Sequence, residues 1–360
     1  MAERPATRRE FLYGKSAAEA LAALGGRPAL PPAATDPTRA ACTLTLTRRA
    51  MACEFQVQLV TDNQQNDTPA GLAALDLVDE LEDRLSVYRE HSEIRRLNAV
   101  AQTEPTPVAP DLCELLEMCD RLHHATGGAF DATTGPLSRA WGFYNRQGRL
   151  PTENQLDQAM QVTGWRHVEL AQDDRTMRLT KPGVEVNFNG IGKGYALDCA
   201  AELLLTEGVG RFLLHGGRST LVARGNRPGG EPGWGIGLRH PLRPQLRLAE
   251  FSLVDSAFST SGSATQGFTH NGKRYGHLLD PRTGRPAEGV HSVSVVAPTG
   301  AEADALSTAF YVMGWEQAQE FCEARPEVGA LFVLPGKHAS RVAVRPVNLP
   351  ESCWRQLEGF

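Results

Sequence analysis

Residues 184–214 constrain the fold more than any other stretch of the chain. Val184-Glu185-Val186-Asn187-Phe188 reads as a short strand and Asn189-Gly190-Ile191-Gly192-Lys193-Gly194 as a tight loop. Tyr195 to Leu205 then reads as a helix, and Phe212-Leu213-Leu214 as a second strand ending at His215-Gly216-Gly217. Glycines that follow a strand and open a helix put backbone N–H groups where an anion can meet them, and the helix N-terminus favours negative charge there. The spacing is neither of the two best-known phosphate signatures. The third glycine comes one residue too early for GxGxxG, and Gly194 stands where a P-loop has Ser or Thr after its lysine. A phosphate cradle and a plain structural turn both fit these residues.

Around this unit, strands and helices mix without strict alternation, which predicts an α+β fold rather than a doubly wound sheet. Thr43 to Thr47 alternates at period two, and Glu54 to Val60 reads as a second strand. Leu72, Leu75, Val78, Leu81 and Leu85 recur at helical spacing. Asp111, with Glu114 three residues on, predicts a capping box that opens a helix, and Gly127-Gly128 predicts its end. Further strands are expected at 292–297 and 329–334, helices at 301–313 and 315–323, and a peripheral tail after Pro335.

The chain has 360 residues, 41% hydrophobic and 22% charged, enough for one large domain or two small ones with an ordinary core. A net charge of −5 gives no reason to expect nucleic acid or a membrane surface as partner. No apolar run reaches the roughly 18 residues that would predict a membrane span. The seven cysteines form no CxxC pair, so neither zinc ligation nor a disulfide framework is expected. At the start, Thr7-Arg8-Arg9-Glu10-Phe11-Leu12 resembles a twin-arginine export signal, although Lys15 and Glu19 interrupt the apolar stretch behind it. Export to the periplasm or cell envelope is the expectation, with a mobile arm in a cytoplasmic protein as the alternative. Residues 25–37 read as a Gly/Pro/Ala linker. The expected organisation is an arm at 1–42, one domain at 43–340 and an extension at 341–360.

Three further segments carry candidate chemistry. His277-Leu278-Leu279-Asp280-Pro281-Arg282-Thr283-Gly284 places a base, a carboxylate and a cation close together, or is a polar β-turn. Asp304 and Thr308, four apart, share a helix face and offer hard oxygen ligands suited to Mg²⁺, or simply face the macrodipole and back-bond the helix. Gly128-Ala129-Phe130-Asp131 and the segment from Tyr88 to Ile94 are loops that could meet a flat ligand, with Tyr88 as a stacking surface.

In this order, the pieces resemble the ApbE family, the FAD:protein FMN transferases. The likeness runs from about Met51 to Leu334 and rests on collinear motifs: Leu85-Ser86-Val87-Tyr88, Thr126-Gly127-Gly128-Ala129-Phe130-Asp131, Gly190-Ile191-Gly192-Lys193-Gly194-Tyr195 with Asp198, His215-Gly216-Gly217, Thr260-Ser261-Gly262, the His277 segment, and Ala303-Asp304-Ala305-Leu306-Ser307-Thr308. Any one is weak; together they are specific. The resemblance implies a single T-fold-like catalytic domain of α+β class, with Mg²⁺ as cofactor and FAD as substrate. It implies transfer of FMN to a threonine or serine of an acceptor flavoprotein, with release of AMP. Met51, Tyr88, Ala129, Phe130, Asp131, Asn187, Lys193 and Leu278 are then expected to contact the flavin nucleotide. Gly190 through its carbonyl, Asp304 and Thr308 are expected to hold the metal, and His277 with Asp280 to serve catalysis.

This chain departs from the family pattern at three places. Asn187 stands where members often have Asp, Arg218 follows the Gly-Gly pair where Asp is frequent, and Met51-Ala52-Cys53 replaces Met-Gly-Thr. Two other readings share the same residues: an FAD pyrophosphatase giving FMN and AMP, and a non-catalytic FAD-binding protein.

Overall fold

The structure, a computed structural model, describes residues 42–62, 64–229, 232–263, 266–338 and 341–357. The twin-arginine-like segment and the linker lie outside the described residues. Among the described residues no helix is long and apolar enough to cross a membrane.

The centre is an eight-stranded sheet: β1 (Cys42–Ala50), β2 (Cys53–Thr61), β3 (Phe212–Gly216), β4 (Thr220–Arg224), β5 (Ala257–Gly262), β6 (Ser292–Ala297), β7 (Gly329–Pro335) and β8 (Val342–Val347). Spatial order follows chain order and every neighbouring pair is antiparallel. The helices are α1 (Gln64–Leu85), α2 (Glu93–Val100), α3 (Pro110–Ala125), α4 (Gly135–Ala140), α5 (Glu153–Gln161), α6 (Gly192–Thr206), α7 (Gly300–Met313) and α8 (Trp315–Ala324). An antiparallel sheet with helices gathered on one face is an α+β arrangement, as expected.

Strand alternation sends successive side chains to opposite faces. Phe55, Val57, Phe212, Leu214 and Val222 join the large core under α1, α6 and α7. Leu213, Leu221, Ala223 and Phe258 face the other way, onto a three-stranded sheet of Trp234–His240, Arg243–Leu253 and Trp354–Gln356. The apolar rows of α1 are buried at Leu75, Val78, Leu81 and Leu85, while Leu72 stays exposed on the first turns.

Three local expectations are corrected. Residues 184–188 are not a strand: at Val186 the backbone is paired by a side chain, its N–H donating to Asn98 Oδ1 and its carbonyl accepting from Asn98 Nδ2. Asp111 does not build a capping box. Helix α3 starts at Pro110 behind Ala109 with no side-chain cap, and Asp111 is taken by the fork of Arg84. The tail after Pro335 is not peripheral: β8 is the sheet's edge strand, with Val347 buried, and Trp354–Gln356 pairs with the smaller sheet.

Two backbone features shape the site. The β1–β2 hairpin turns on Met51 and Ala52 at φ 48° and 58°, positions usually given to Asn-Gly, so each non-glycine residue there costs about 1–2 kcal/mol. Helices α6 and α7 touch backbone to backbone, since a Cβ on Gly194 would lie 2.0 Å from the Gly300 carbonyl oxygen.

Candidate active site

A cavity of about 820 Å³ opens on the helix-covered side, where the β1–β2 turn, the loop before α4, the start of α6, the end of β5 and the His277 segment converge. That volume lies within the range of about 300–1,000 Å³ usual for small-molecule sites. Met51, Tyr88, Ala129, Phe130, Asp131, Asn187, Gly190, Lys193, His277, Leu278, Asp304 and Thr308 all line it. Asp280 does not. Its carboxylate accepts from the backbone N–H and the guanidinium of Arg282, and its backbone closes the turn through Arg285 and Gly284. Asp280 therefore shapes the turn that presents His277 and Leu278, beside the cavity rather than in its lining.

Asp304 is the electrostatic centre. Its carboxylate is buried, 5% exposed, and gathers four donors: Lys193 Nζ at 3.2 Å to each oxygen, the Gly194 N–H at 3.2 Å, the Thr220 hydroxyl at 3.0 Å and the Ser259 hydroxyl at 3.3 Å. One turn on, the Thr308 hydroxyl lies 3.3 Å from Ser261 Oγ. Ser259 and Ser261 are two apart on β5 and meet residues four apart on α7, so strand and helix periods are matched across the contact. The residues fit a hard cation. A carboxylate and a hydroxyl share one face of α7, and a Cβ added to Gly190 would sit 4.0 Å from Thr308 Oγ1, so bare backbone approaches the pair there. Among the described residues no group of three or more His, Cys, Asp or Glu is placed to hold a metal ion. One carboxylate with neutral oxygens suits Mg²⁺, which takes few protein ligands and completes its shell with water and substrate phosphates.

His277 Nδ1 lies 3.3 Å from the Gln266 carbonyl, so Nδ1 carries the proton and Nε2 keeps its lone pair. Burial holds its pKa below the ordinary imidazole value, against that hydrogen bond, and the Lys193 charge lowers it further. Neutral imidazole is thus the form present near pH 7.

The other expected contacts have distinct jobs. Asn187 Oδ1 accepts from the Asn189 N–H at 3.0 Å, so an uncharged side chain still orders the glycine loop. Asp131 lines the cavity, yet its carboxylate is engaged by Thr133 and by the Trp165 N–H at 2.9 Å, with His123 at 3.3 Å. Burial pushes the Asp131 carboxyl up, but the His123 and Thr133 hydrogen bonds outweigh it and hold it below the usual carboxylate range. Tyr88 is half exposed, with its hydroxyl 3.1 Å from Asn189 Nδ2. The turn at Gly217 and Arg218 has φ 63° and 61°; Gly217 lines the cavity and Arg218 is exposed outside it.

Sequence reading missed Thr220, Ser259 and Tyr144. Tyr144 packs on Tyr88 at 4.6 Å between ring centroids and lines the cavity. A run of three hydroxyls on one strand, Ser259-Thr260-Ser261 directly after Ala257-Phe258, is the signal that could have found the serine row. Tyr144 has no comparable signal, because its loop shows no periodicity.

The match to known proteins covers this whole region. The family model described as "ApbE family" matches residues 51–332. The FAD:protein FMN transferase of Salmonella typhimurium is 36% identical over 69% of this chain and 72% of its own length. That of Escherichia coli K12 is 35% identical over 68% and 70%. Among solved structures, an ApbE protein from Thermotoga maritima superposes with a TM-score of 0.76 at 28% identity, covering 85% of this chain and 97% of its own. The flavin transferase ApbE from Vibrio cholerae superposes at 0.73 and 26% identity, over 86% and 98%. The chain belongs to the ApbE family.

Proposed function

We propose that this chain is an FAD:protein FMN transferase, moving the FMN part of FAD to a threonine or serine hydroxyl of an acceptor flavoprotein in a Mg²⁺-dependent reaction that releases AMP. One observation carries the reading: His277, Lys193 and the Asp304/Thr308 pair line a single cavity of about 820 Å³. A protein that only bound FAD would have no use for a neutral imidazole beside a buried carboxylate–lysine pair.

The acceptor hydroxyl oxygen attacks the phosphorus on the FMN side of the diphosphate, and its proton passes to His277 Nε2. The bond from that phosphorus to the bridging oxygen breaks, and AMP leaves with that oxygen. The Lys193 ammonium stabilises the negative charge that develops on the phosphate oxygens. When bound, Mg²⁺ supplies charge neutralisation of the diphosphate; Asp304, Thr308 and the Gly190 carbonyl would hold it. Tyr88 and Tyr144, Met51, Ala129, Phe130 and Leu278 supply apolar and aromatic surface for the nucleotide, and Asn187 keeps the glycine loop in shape. Phosphoryl transfer of this type depends mainly on positioning and electrostatics, which these residues provide.

The test is incubation with FAD, Mg²⁺ and a flavoprotein carrying a candidate threonine, followed by mass spectrometry of that protein. Covalent FMN on the threonine, absent when EDTA is added, is expected. Free FMN and AMP without labelled acceptor would make the protein a pyrophosphatase. FAD bound but intact would make it a binding protein.

A further inference from the structure

Lys193 sits in the first turn of α6 while Asp304 and Thr308 sit on α7, so the site depends on how two separate helices are held together. At their crossing the helices exchange caps. Helix α6 has no side-chain cap of its own, and its Gly194 N–H donates instead to Asp304 of α7. In return, Asp198 of α6 accepts from the Gly300 N–H at 2.6 Å and the Ala301 N–H at 2.8 Å, at the N-terminus of α7. Helix α7 already has an ordinary cap in Thr299, whose hydroxyl accepts from the Glu302 N–H. The Asp198 bond is therefore not needed to start the helix. It joins two helices whose backbones are already in contact, where a Cβ on Gly300 would lie 2.7 Å from the Gly194 carbonyl oxygen. Burying this carboxylate has a cost: desolvation pushes its pKa up to about 6 in spite of the two N–H donors.

We propose that Asp198 is a positioning residue, a two-pronged strut that sets the distance from Lys193 to Asp304 and Thr308 and thereby the affinity for the divalent cation. Asp304 lies four residues beyond Gly300, about 6 Å along the helix axis, so a shift of the α7 N-terminus carries both ligands with it. The inference rests on the assignment of the metal to Asp304 and Thr308.

The test is Mn²⁺ binding to the full chain, followed by electron paramagnetic resonance, with FAD affinity measured separately without metal. Asp198→Asn leaves one acceptor for two N–H donors and is expected to weaken Mn²⁺ binding about tenfold or more while FAD affinity stays within about twofold. Asp198→Glu keeps the charge and both oxygens but lengthens the strut by one methylene. It is expected to weaken Mn²⁺ binding too, and it decides the matter if the Asn variant does not fold. Thr299→Ala removes the ordinary cap of the same helix and is expected to lower Tm without changing Mn²⁺ affinity. Wild-type Mn²⁺ affinity in Asp198→Asn or Asp198→Glu overturns the proposal. Asp304→Ala is the control: if it retains Mn²⁺, the metal assignment itself fails; if it loses Mn²⁺ while both Asp198 variants keep it, only the strut fails.

Discussion

On β4, Thr220 gives its hydroxyl to Asp304 while its neighbour Leu221 packs into the apolar layer beneath the smaller sheet. On β5, Ser259 and Phe258 divide the same way. Both members of each pair are buried. At these positions the sheet is buried on both sides but carries a hydroxyl on one face and an apolar side chain on the other. A hydroxyl can be buried at little net cost only where a partner is waiting. On the helix face the Asp304 carboxylate is that partner, and it is in turn held by Lys193 and Gly194. On the other face the side chains of Leu213, Leu221 and Phe258 pack with Phe251 and Trp234 of the smaller sheet in an apolar layer. The contacts to Asp304 lie on one face, and the apolar layer between the two sheets lies on the other.

If that division is right, substitutions on the two faces should separate cleanly. The largest effect on chemistry is expected from Asp304→Ala, which removes the charge assigned to the metal and leaves Lys193, Thr220, Ser259 and the Gly194 N–H without their acceptor. Acceptor labelling should fall by at least about 10³-fold, with a cooperative unfolding transition retained. Wild-type turnover at limiting Mg²⁺ would show that the site is misassigned.

Next comes His277. His277→Ala should slow labelling by about 10²–10⁴-fold while binding FAD nearly as well as wild type. His277→Asn, which keeps a donor and an acceptor, should be equally slow; normal labelling by it would reduce His277 to a shaper of the turn. Because its folded pKa lies below the ordinary value near 6.5, the wild-type rate should hold from pH 7 down through about 6.5 and fall only below the folded pKa. The same depression means that the unfolded chain takes up the proton first as pH falls. The stability His277 contributes is therefore full above about pH 6.5 and declines below it.

Thr308→Ala should be milder, a few-fold rise in the Mg²⁺ needed for half-maximal labelling, since water can replace a hydroxyl ligand. The smallest effect on chemistry is expected from Leu221→Ala. It should cost about 2–5 kcal/mol of stability, read by denaturant unfolding, and leave the labelling rate of the folded protein unchanged. A loss of rate there without loss of stability would break the contrast between the faces.

What the sequence made legible follows from the same contrast. The glycine loop, the Asp304/Thr308 pair and His277 announce themselves because their local spacing is set by their own helix or turn, and the structure brings them into one cavity. The α+β class was legible from period and order. Residues whose role depends on a distant partner were not. Thr220 and Ser259 are ordinary strand residues until α7 is laid across them. Val184–Phe188 has the composition of a strand, but its backbone is paired by Asn98, 88 positions away from Val186. Asp111 has the spacing of a cap, yet Arg84 takes it. The tail after Pro335 could not be placed without knowing that β7 has an open edge.

The most direct measurement follows labelled acceptor and released AMP together in one reaction containing wild-type protein, FAD, Mg²⁺ and an acceptor flavoprotein. Transfer through this cavity predicts one AMP for each FMN attached to the acceptor threonine at every time point, with both signals lost in Asp304→Ala. AMP accumulating with FMN free in solution, or no AMP at all from bound FAD, would contradict it.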